Sequence, residues 1–268
     1  MTNPQDPAAI ADLFHTTEGL LLVVTGAGIS VASGIPTFRG EDPDAVWKRD
    51  VTELGTFRYF LSNPVGSWRW YLSRFEKTLG AKPNAAHTAL VTLEQDRIRR
   101  GGGFLLVTQN IDGLHRQAGS RNLVEVHGRA DQVRCPRTGC IHGAPTGSLP
   151  RTLVNFAAFQ ADPRAETLPR CPACGTILRQ HVLWFDETYD SHVDYRWDDV
   201  LDGARTCAAV LFIGTSFSVG VTDLVLRSAL SRDCPVLSID PSGLAPPGVI
   251  PIAARAEDLL PAVAMRTG

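Results

Sequence analysis

Five short apolar segments, rich in leucine, valine and isoleucine, alternate with stretches of helical periodicity along most of the chain. Segments of this length and composition are typical of strands that are covered on both faces. Alternating strands and helices predict an α/β protein with a doubly wound parallel sheet. The predicted strands are Leu20–Thr25, Gly103–Thr108 and residues 123–126, 208–213 and 235–240, and two of the predicted helices are Ala85–Arg99 and residues 224–231.

Each predicted strand is followed by small or polar residues. In a doubly wound sheet the carboxyl ends of the parallel strands share one edge, and ligands bind in the crevice outside that edge. We therefore expect a single ligand site formed by residues that are far apart in the sequence. Its candidate residues are Gly26, Ala27, Gly28, Gln109, Asn110, Ile111, Asp112, His127, Gly214, Thr215, Ser216 and Asp240.

The glycine-rich turn after the first predicted strand is a candidate phosphate site. Glycines allow a pyrophosphate to approach the backbone closely, and the following helix supplies N–H donors from its first turn. The motif contains Gly26, Gly28 and Ser30 but lacks a third glycine in the position typical of dinucleotide binding. A tight turn without a ligand is therefore an alternative interpretation.

The polar residues at the other strand ends each have a functional and a structural interpretation. His127 is a candidate general base, because imidazole changes charge near neutral pH, but it would also suit a hydrogen-bonded structural position. Asn110 and Asp112 can bind a polar amide, although both residue types are common in turns. Asp240 can accept hydrogen bonds from ribose hydroxyls, or cap a turn or helix before Pro241. The joint occurrence of these residues at strand ends favours function.

Four of the six cysteines form two close pairs, one with four intervening residues and the other with two. In a reducing compartment such pairs favour metal binding over disulfides. Four thiolates suit a closed tetrahedral zinc site with a structural role, although iron could also occupy them and unligated thiols are the alternative. The candidate metal ligands are Cys135, Cys140, Cys171 and Cys174, whereas Cys207 and Cys234 are expected in the core.

Two stretches interrupt the alternation of strands and helices. Residues 37–83 are rich in aromatic side chains and are predicted to be helical, and residues 129–180 are rich in proline and glycine and contain the cysteine pairs. We interpret them as an inserted helical module and an inserted zinc-binding module. Residues 1–36, 84–128 and 181–268 would then form the main sheet domain.

The composition excludes several classes of protein. The 268 residues are 44% hydrophobic and 20% charged, which is typical of a globular chain and unlike a disordered or fibrous one. A net charge of −2 gives no electrostatic signature of binding to nucleic acid or anionic membranes. The sequence shows no secretory leader and no apolar run long enough to span a bilayer. We expect a cytoplasmic protein that acts as a monomer.

Four motifs together resemble those of the sirtuin (Sir2) family. They are residues 26–40, where Gly-Ala-Gly-Ile-Ser precedes Gly-Ile-Pro-Thr-Phe-Arg-Gly, and residues 108–115, 126–128 and 214–216. The order of the motifs and the two cysteine pairs are also those of the family, so the resemblance extends over nearly the whole chain. It implies a Rossmann-like NAD-binding domain with a smaller domain formed by a zinc ribbon and helices.

The resemblance also implies a reaction. Sirtuins cleave NAD at the bond between nicotinamide and ribose and transfer the acyl group of an acyl-lysine to the ADP-ribose. His127 looks like the base that activates the ribose hydroxyls after the acyl oxygen has attacked, and Asn110 and Asp112 look like the lining of the nicotinamide pocket. The further candidate NAD-binding residues are Gly26, Ala27, Gly28, Ser30, Phe38, Arg39, Gln109, Ile111, Gly214, Thr215, Ser216 and Asp240.

Tyr71 and Arg74 resemble the Tyr-x-x-Arg pair of the sirtuin subclass that removes malonyl, succinyl and glutaryl groups. On a helix, residues three apart share a face. Arginine can then bind a carboxylate through two hydrogen bonds while tyrosine donates a third. The alternative is an amphipathic helix in which Tyr71 belongs to the core and Arg74 is solvated.

Residues 178–187 depart from the family pattern, because Gln180 replaces a proline and Asp186 replaces a glycine. In the family this segment pairs with the substrate backbone as an added strand would. Asp186 is expected either to disturb the pairing or to add a negative charge at the substrate entrance. Asp240 stands where the family usually has an asparagine, and its charge favours NAD over NADP. The candidate substrate-binding residues of the segment are Val182, Leu183, Trp184 and Phe185.

We therefore expect an NAD-dependent protein lysine deacylase that acts on acyl-lysine proteins or peptides, holds one structural zinc ion and has no nucleic-acid or membrane partner. One alternative on the same fold is an ADP-ribosyltransferase or NAD hydrolase, which would use another acceptor. A second is a catalytically silent module that senses NAD or binds a partner through the zinc ribbon. The presence of His127, Asn110 and Asp112 favours the deacylase.

Overall fold

The computed structural model describes residues 7–37 and 51–266. Its strands are β1 (Leu20–Thr25), β2 (Gly103–Thr108), β3 (Leu123–Glu125), β4 (Gly128–Arg134), β5 (Leu149–Pro150), β6 (Arg179–Val182), β7 (Cys207–Ile213), β8 (Val236–Ile239) and β9 (Ile250–Ile252). Its helices are α1 (Pro7–Thr16), α2 (Val51–Leu54), α3 (Phe57–Ser62), α4 (Pro64–Gly80), α5 (Ala85–Arg99), α6 (Leu114–Ala118), α7 (Ala157–Ala161), α8 (Trp197–Thr206), α9 (Gly220–Leu230) and α10 (Ala256–Met265), and a 3-10 helix, Ala27–Ser33, follows β1. None of these described helices combines the length and the apolar character needed to cross a membrane.

Six strands form a parallel sheet in the order β3-β2-β1-β7-β8-β9. The chain starts near the centre, moves to one side and returns to the other, which is the order of a doubly wound nucleotide-binding sheet. The predicted parallel α/β fold is confirmed, and β1 and β2 have the predicted bounds. The sequence does not predict β9, because this edge strand has only three residues and contains Pro251. Proline is tolerated there because an edge strand has one side without a ladder partner.

The side chains of β1 alternate between two hydrophobic cores, one on each face of the sheet. Leu21 and Val23 pack into a core with α1, α5 and α10, and Leu22 and Val24 pack into a core with α8 and α9. All four side chains are at most 1% exposed. Because full burial of a valine or leucine side chain contributes about 1.5–3 kcal/mol, a strand covered on both faces is stabilised by an unbroken apolar sequence.

A second sheet, which is antiparallel and has the order β5-β4-β6, lies against a third core. This core combines aromatic side chains of α3 and α4 with residues of the cysteine-containing stretch, among them Cys135 and Cys171. The two stretches that interrupt the main sheet in sequence are therefore packed together in space. Strand β6 pairs with β4 and continues to Val182. The domain limits near residues 36, 83, 128 and 180 stay a prediction.

Candidate active site

The carboxyl ends of β1, β2 and β7 lie in register at one edge of the main sheet. Thr25 is aligned with Thr108 on one side and with Ile213 on the other. The loops that follow are consequently neighbours, and the N–H of Gly28 donates to the carbonyl of Gly214 over 2.9 Å. A Cβ atom at Gly28 would lie 2.6 Å from the Cα atom of Gly214. Contact between the two loops therefore requires a glycine here, whatever ligand the loops bind.

A polar network joins three of the predicted site residues. Ser30 Oγ donates to Asp112 Oδ2 over 2.7 Å. Asn110 Nδ2 donates to Ser30 Oγ over 3.1 Å and to the Gly26 carbonyl over 3.0 Å. Burial raises the pKa of Asp112, and hydrogen bonds from Leu114, Ser30 and Asn110 oppose this effect. The structure thus brings Ser30, Asn110 and Asp112 into one cluster with fixed orientations.

His127 follows β3 and is oriented by the loop after β2. Its Nδ1 lies 2.9 Å from the carbonyl oxygen of Gln109, and because a carbonyl only accepts, Nδ1 carries the hydrogen. In the neutral ring the lone pair is then on Nε2. Burial lowers the pKa of His127 to about 4, and the bond to Gln109 opposes this shift. His127 is thus neutral near pH 7 with a basic nitrogen at Nε2, which is the form that a general base needs.

The loop after β7 supplies hydroxyl groups beside this cluster. Thr215 is buried, and its Oγ1 accepts a hydrogen bond from Gln109 Nε2 over 3.2 Å. Ser216, the next residue, is exposed. Ile111 packs against the core of the smaller sheet, and Ala27 begins the 3-10 helix. The edge therefore combines hydroxyl and amide groups with an apolar side chain.

Another predicted NAD-binding residue, Asp240, forms its hydrogen bonds within its own turn. Asp240 Oδ1 accepts from the N–H of Ser242 over 2.9 Å and from its hydroxyl over 2.6 Å. One carboxylate oxygen of Asp240 thus stabilises a turn, as one of the two interpretations expects. Binding of a ribose by Asp240 stays a prediction. Phe38 and Arg39 lie outside the described residues.

The four paired cysteines form one cluster. Cys135 Sγ lies 3.5 Å from Cys174 Sγ, and Cys140 Sγ lies 3.6 Å from Cys171 Sγ. All four sulfur atoms are within 4.8 Å of one another. A tetrahedral zinc ion with Zn–S bonds of about 2.3 Å would hold its sulfur ligands roughly 3.8 Å apart. The donor set and its spacing therefore fit a structural zinc ion.

A bound cation would change the ionisation of these thiols. Burial raises the pKa of Cys135 to about 12, whereas hydrogen bonding with Thr176 lowers the pKa of Cys174 to about 6. Four thiolates this close together would repel one another. A divalent cation offsets that repulsion and stabilises the deprotonated form of every ligand. With four protein ligands the site is closed, so the metal would hold the fold and take no part in the reaction.

Tyr71 and Arg74 lie one helical turn apart on α4, where Tyr71 is buried and Arg74 is half-buried. Tyr71 is 6% exposed, and burial raises its pKa. The guanidinium carbon of Arg74 lies 4.0 Å from the centroid of the Trp70 ring. Burial lowers the pKa of Arg74, and the nearby Tyr71 opposes the shift. Within the described part of the chain Arg74 forms no ion pair, and its Nε is buried without a hydrogen-bond partner.

The predicted substrate segment connects His127 to the helical stretch through its own backbone. The N–H of Leu183 donates to the carbonyl of His127 over 2.9 Å, and the N–H of Phe185 donates to the carbonyl of Gly55 over 3.0 Å. Trp184, between them, is 1% exposed and belongs to the core of the smaller sheet, whereas Phe185 is 53% exposed. The segment is therefore held in place on two sides, and its role in peptide binding stays a prediction.

An ion-pair network behind this segment is not evident from the sequence. Glu187 accepts from Arg134 Nη2 over 2.9 Å, from Arg179 Nη2 over 3.0 Å and from the N–H of Trp184 over 3.0 Å. Burial raises the pKa of Glu187, but the two arginines outweigh this effect, and the net shift of the pKa is downward. The guanidinium carbon of Arg179 also lies 3.4 Å from the centroid of the Trp184 ring. Glu187 thus fixes Trp184, and no local motif could have identified it because Arg134 is 53 residues away.

Asp186 binds the start of helix α3. Its two carboxylate oxygens accept from the N–H groups of Phe57, over 2.7 Å, and Arg58, over 3.0 Å. The first N–H groups of a helix have no partner within the helix, and a negative charge there is stabilised by the helix dipole. The carboxylate of Asp186 therefore connects the substrate segment to α3.

Replacing Asp186 with alanine is expected to lower the free energy of unfolding by about 0.5–2 kcal/mol, as the loss of a helix cap does. Urea denaturation followed by circular dichroism measures the change. Asp186→Asn keeps one acceptor oxygen and should lose less. Asp190→Ala removes another exposed carboxylate, whose one hydrogen-bond partner among the described residues is the hydroxyl of Thr188, and should change stability less. A loss in Asp190→Ala as large as that in Asp186→Ala would contradict the cap.

These features define the chain as a nucleotide-binding α/β enzyme with a separate structural metal centre. The model of the Sir2 family matches residues 26–221. The chain is 38% identical over 220 residues to an NAD-dependent protein deacylase of Thermus thermophilus, and the match covers 82% of this chain and 78% of that protein. It is 35% identical over 224 residues to the mitochondrial NAD-dependent protein deacylase sirtuin-5 of Xenopus tropicalis, with 81% and 71% covered.

The fold agrees with these matches. The chain superimposes on a solved Sir2 homologue in complex with NAD with a TM-score of 0.76 and 29% identity, over 97% of this chain and 93% of that one. The chain belongs to the Sir2 family and is an NAD-dependent protein lysine deacylase. The predicted family, fold and use of NAD are confirmed, and the four-cysteine cluster is consistent with the predicted zinc. The roles of individual residues stay predictions.

Proposed function

We propose that His127 is the general base with which the chain removes acyl groups from lysine side chains of proteins or peptides. The reaction consumes acyl-lysine, NAD and water, and it yields lysine, nicotinamide and O-acyl-ADP-ribose. The tautomer of His127 supports its role, because the Gln109 carbonyl holds the hydrogen on Nδ1 and leaves the lone pair on Nε2. In this form His127 can take a proton from a ribose hydroxyl, which then attacks the acyl carbon.

The other residues of the edge bind and orient NAD. When bound, NAD supplies a ribose carbon that carries nicotinamide as its leaving group. Asn110 and Asp112 face the nicotinamide amide, since together they offer donor and acceptor atoms and are held by Ser30. The hydroxyls of Thr215 and Ser216 lie near the ribose and the phosphates. Since one copy of the chain carries all of these residues, we expect it to act as a monomer. A reducing compartment such as the cytoplasm would keep the cysteine thiols free to bind zinc.

Arg74 gives the acyl pocket a preference for acidic groups such as succinyl and malonyl. A half-buried guanidinium is costly without a counter-charge, and within the described residues no carboxylate pairs with it. The carboxylate of a succinyl group would supply that charge and accept two hydrogen bonds from Arg74. Tyr71 adds a hydroxyl donor one turn away. The similarity to sirtuin-5 supports the same preference.

Release of nicotinamide from NAD tests the activity and the preference together. The purified full-length chain is given NAD with no peptide, with an acetyl-lysine peptide or with a succinyl-lysine peptide. We expect release to require a peptide and to be faster with the succinyl peptide. Equal release in the absence of peptide would overturn the deacylase in favour of an NAD hydrolase or an ADP-ribosyltransferase. Release with the acetyl peptide alone would keep the deacylase and exclude the acidic pocket.

Replacing Arg74 with alanine is expected to lower kcat/KM for the succinyl peptide by about 10- to 100-fold, because hydrogen bonds to a charged group contribute roughly 1.5–3 kcal/mol. For the acetyl peptide, kcat/KM of the variant should stay within about 3-fold of the wild-type value, because an acetyl group has no carboxylate that could bind Arg74. Arg69→Ala is the matched control, because Arg69 lies on the same helix and is exposed. Equal losses with both peptides in Arg74→Ala would show that Arg74 acts through the fold.

A further inference from the structure

Tyr189 lies against the face of His127, although neither the motifs nor the strand ends point to it. Its hydroxyl oxygen is 3.4 Å from His127 Nε2, and the centroids of the two rings are 5.8 Å apart with 24° between their planes. Trp197 stacks on Tyr189 at 4.2 Å and 12°. Two aromatic contacts and a polar contact thus fix the tyrosine ring beside the basic nitrogen.

The hydroxyl of Tyr189 also lies near the start of α9. The backbone N–H of Val221, in the first turn of α9, acts to lower the pKa of the phenol, and a Cβ atom at Gly220 would lie 3.8 Å from the hydroxyl oxygen. Burial nevertheless raises the pKa of Tyr189, so the phenol keeps its hydrogen near neutral pH. Because Nε2 of the neutral His127 ring carries the lone pair, the Tyr189 hydroxyl is the donor in this contact.

We infer that Tyr189 is a positioning residue for the general base, in that it gives His127 Nε2 a hydrogen-bond partner both before and after proton transfer. This inference rests on the proposed role of His127. Before transfer the phenol donates weakly, at 3.4 Å, and yields to a ribose hydroxyl that approaches the same nitrogen. The proton then moves from the ribose oxygen to Nε2, and that oxygen forms its bond to the acyl carbon.

After the transfer Nε2 has become a donor, and the phenol oxygen can accept from it. A hydrogen bond to a charged group is stronger than one between neutral groups. Tyr189 therefore stabilises the imidazolium more than the neutral ring. It favours the step in which His127 takes the proton and has no effect on the earlier step in which nicotinamide leaves.

The isosteric variant Tyr189→Phe separates these two steps, because it removes the hydroxyl and keeps the stacked ring. Exchange of labelled nicotinamide into NAD, in the presence of acyl peptide, reports the first step. Formation of O-acyl-ADP-ribose reports the steps that need the base. We expect product formation to fall about 10-fold, as the loss of one hydrogen bond to a charged group predicts. Exchange should stay within about 2-fold of the wild type, since it precedes proton transfer.

Tyr195→Phe is the matched control. Tyr195 is buried, and its hydroxyl has no hydrogen-bond partner in the described part of the chain. Both rates should be unchanged in that variant. The inference is overturned if Tyr189→Phe leaves product formation unchanged, if it lowers exchange and product formation equally, or if Tyr195→Phe has the same effect. A wild-type chain that forms no O-acyl-ADP-ribose would refute the proposed function, which is a different result.

Discussion

Replacing Cys171 with serine is expected to abolish zinc binding and to unfold the smaller sheet with the helices that pack on it. Structural zinc contributes on the order of 10 kcal/mol in small zinc domains, which is comparable to the whole stability of a typical domain. Cys171 is 3% exposed and belongs to the same core as Trp68, Tyr71 and Trp184. Loss of the metal should therefore reach the substrate segment as well as the cysteine loops.

Zinc content by atomic absorption and limited proteolysis measure these two effects. The wild type should hold one zinc ion per chain and resist cleavage between residues 129 and 180. Cys234→Ser is the control, because Cys234 lies outside the cluster and bonds the carbonyl of Cys207. A Cys171→Ser variant with a full zinc complement and native resistance to protease would refute the four-cysteine site.

Replacing His127 with alanine is expected to lower formation of O-acyl-ADP-ribose by about 10²- to 10⁴-fold, the usual contribution of a general base. Because burial lowers the pKa of His127 to about 4, the neutral base persists as the pH falls through the ordinary histidine range. Wild-type activity at saturating substrates should therefore be retained from pH 7.5 down to about pH 5, where an ordinary histidine with a pKa of about 6.5 would be mostly protonated.

Product formation followed by chromatography between pH 5 and pH 8 measures both results. His15→Ala is the control, since His15 lies on α1 and faces Asp96 of α5. A loss of wild-type activity as the pH falls through about 6.5 would contradict the lowered pKa of His127. Full activity in His127→Ala would remove it from the mechanism.

The main sheet is predictable because its signal is local. Strands β1 and β2 are apolar on both faces, so composition alone marks their limits, and the polar residues after them mark the binding edge. The smaller sheet is different, because β4 mixes buried and partly buried residues irregularly and β5 has two residues. Its packing depends on a metal centre and on aromatic side chains from a distant stretch, which no short window of sequence reveals.

The candidate site divides in the same way. Strand ends predicted Asn110, Asp112 and His127, whereas the contacts made by Asp186 and Tyr189 depend on how distant segments pack. Asp186 meets Phe57 across 129 residues of sequence, and Tyr189 meets His127 across 62. Such contacts become visible only when the chain is folded. The resemblance to the family identified the residues of the shared motifs. It did not predict the contacts of Asp186 and Tyr189, because the segment around them departs from the family pattern.

The core of the smaller sheet also bears on the order in which the chain is completed during synthesis. All of its members lie between Phe57 and Trp184, whereas the central strand pair of the main sheet requires β7, which begins at Cys207. All four cysteines of the cluster are therefore synthesised before β7, the strand that completes the nucleotide crevice. Since parts of a protein fold as their chain emerges, the nascent polypeptide can capture zinc while its NAD site is still half made.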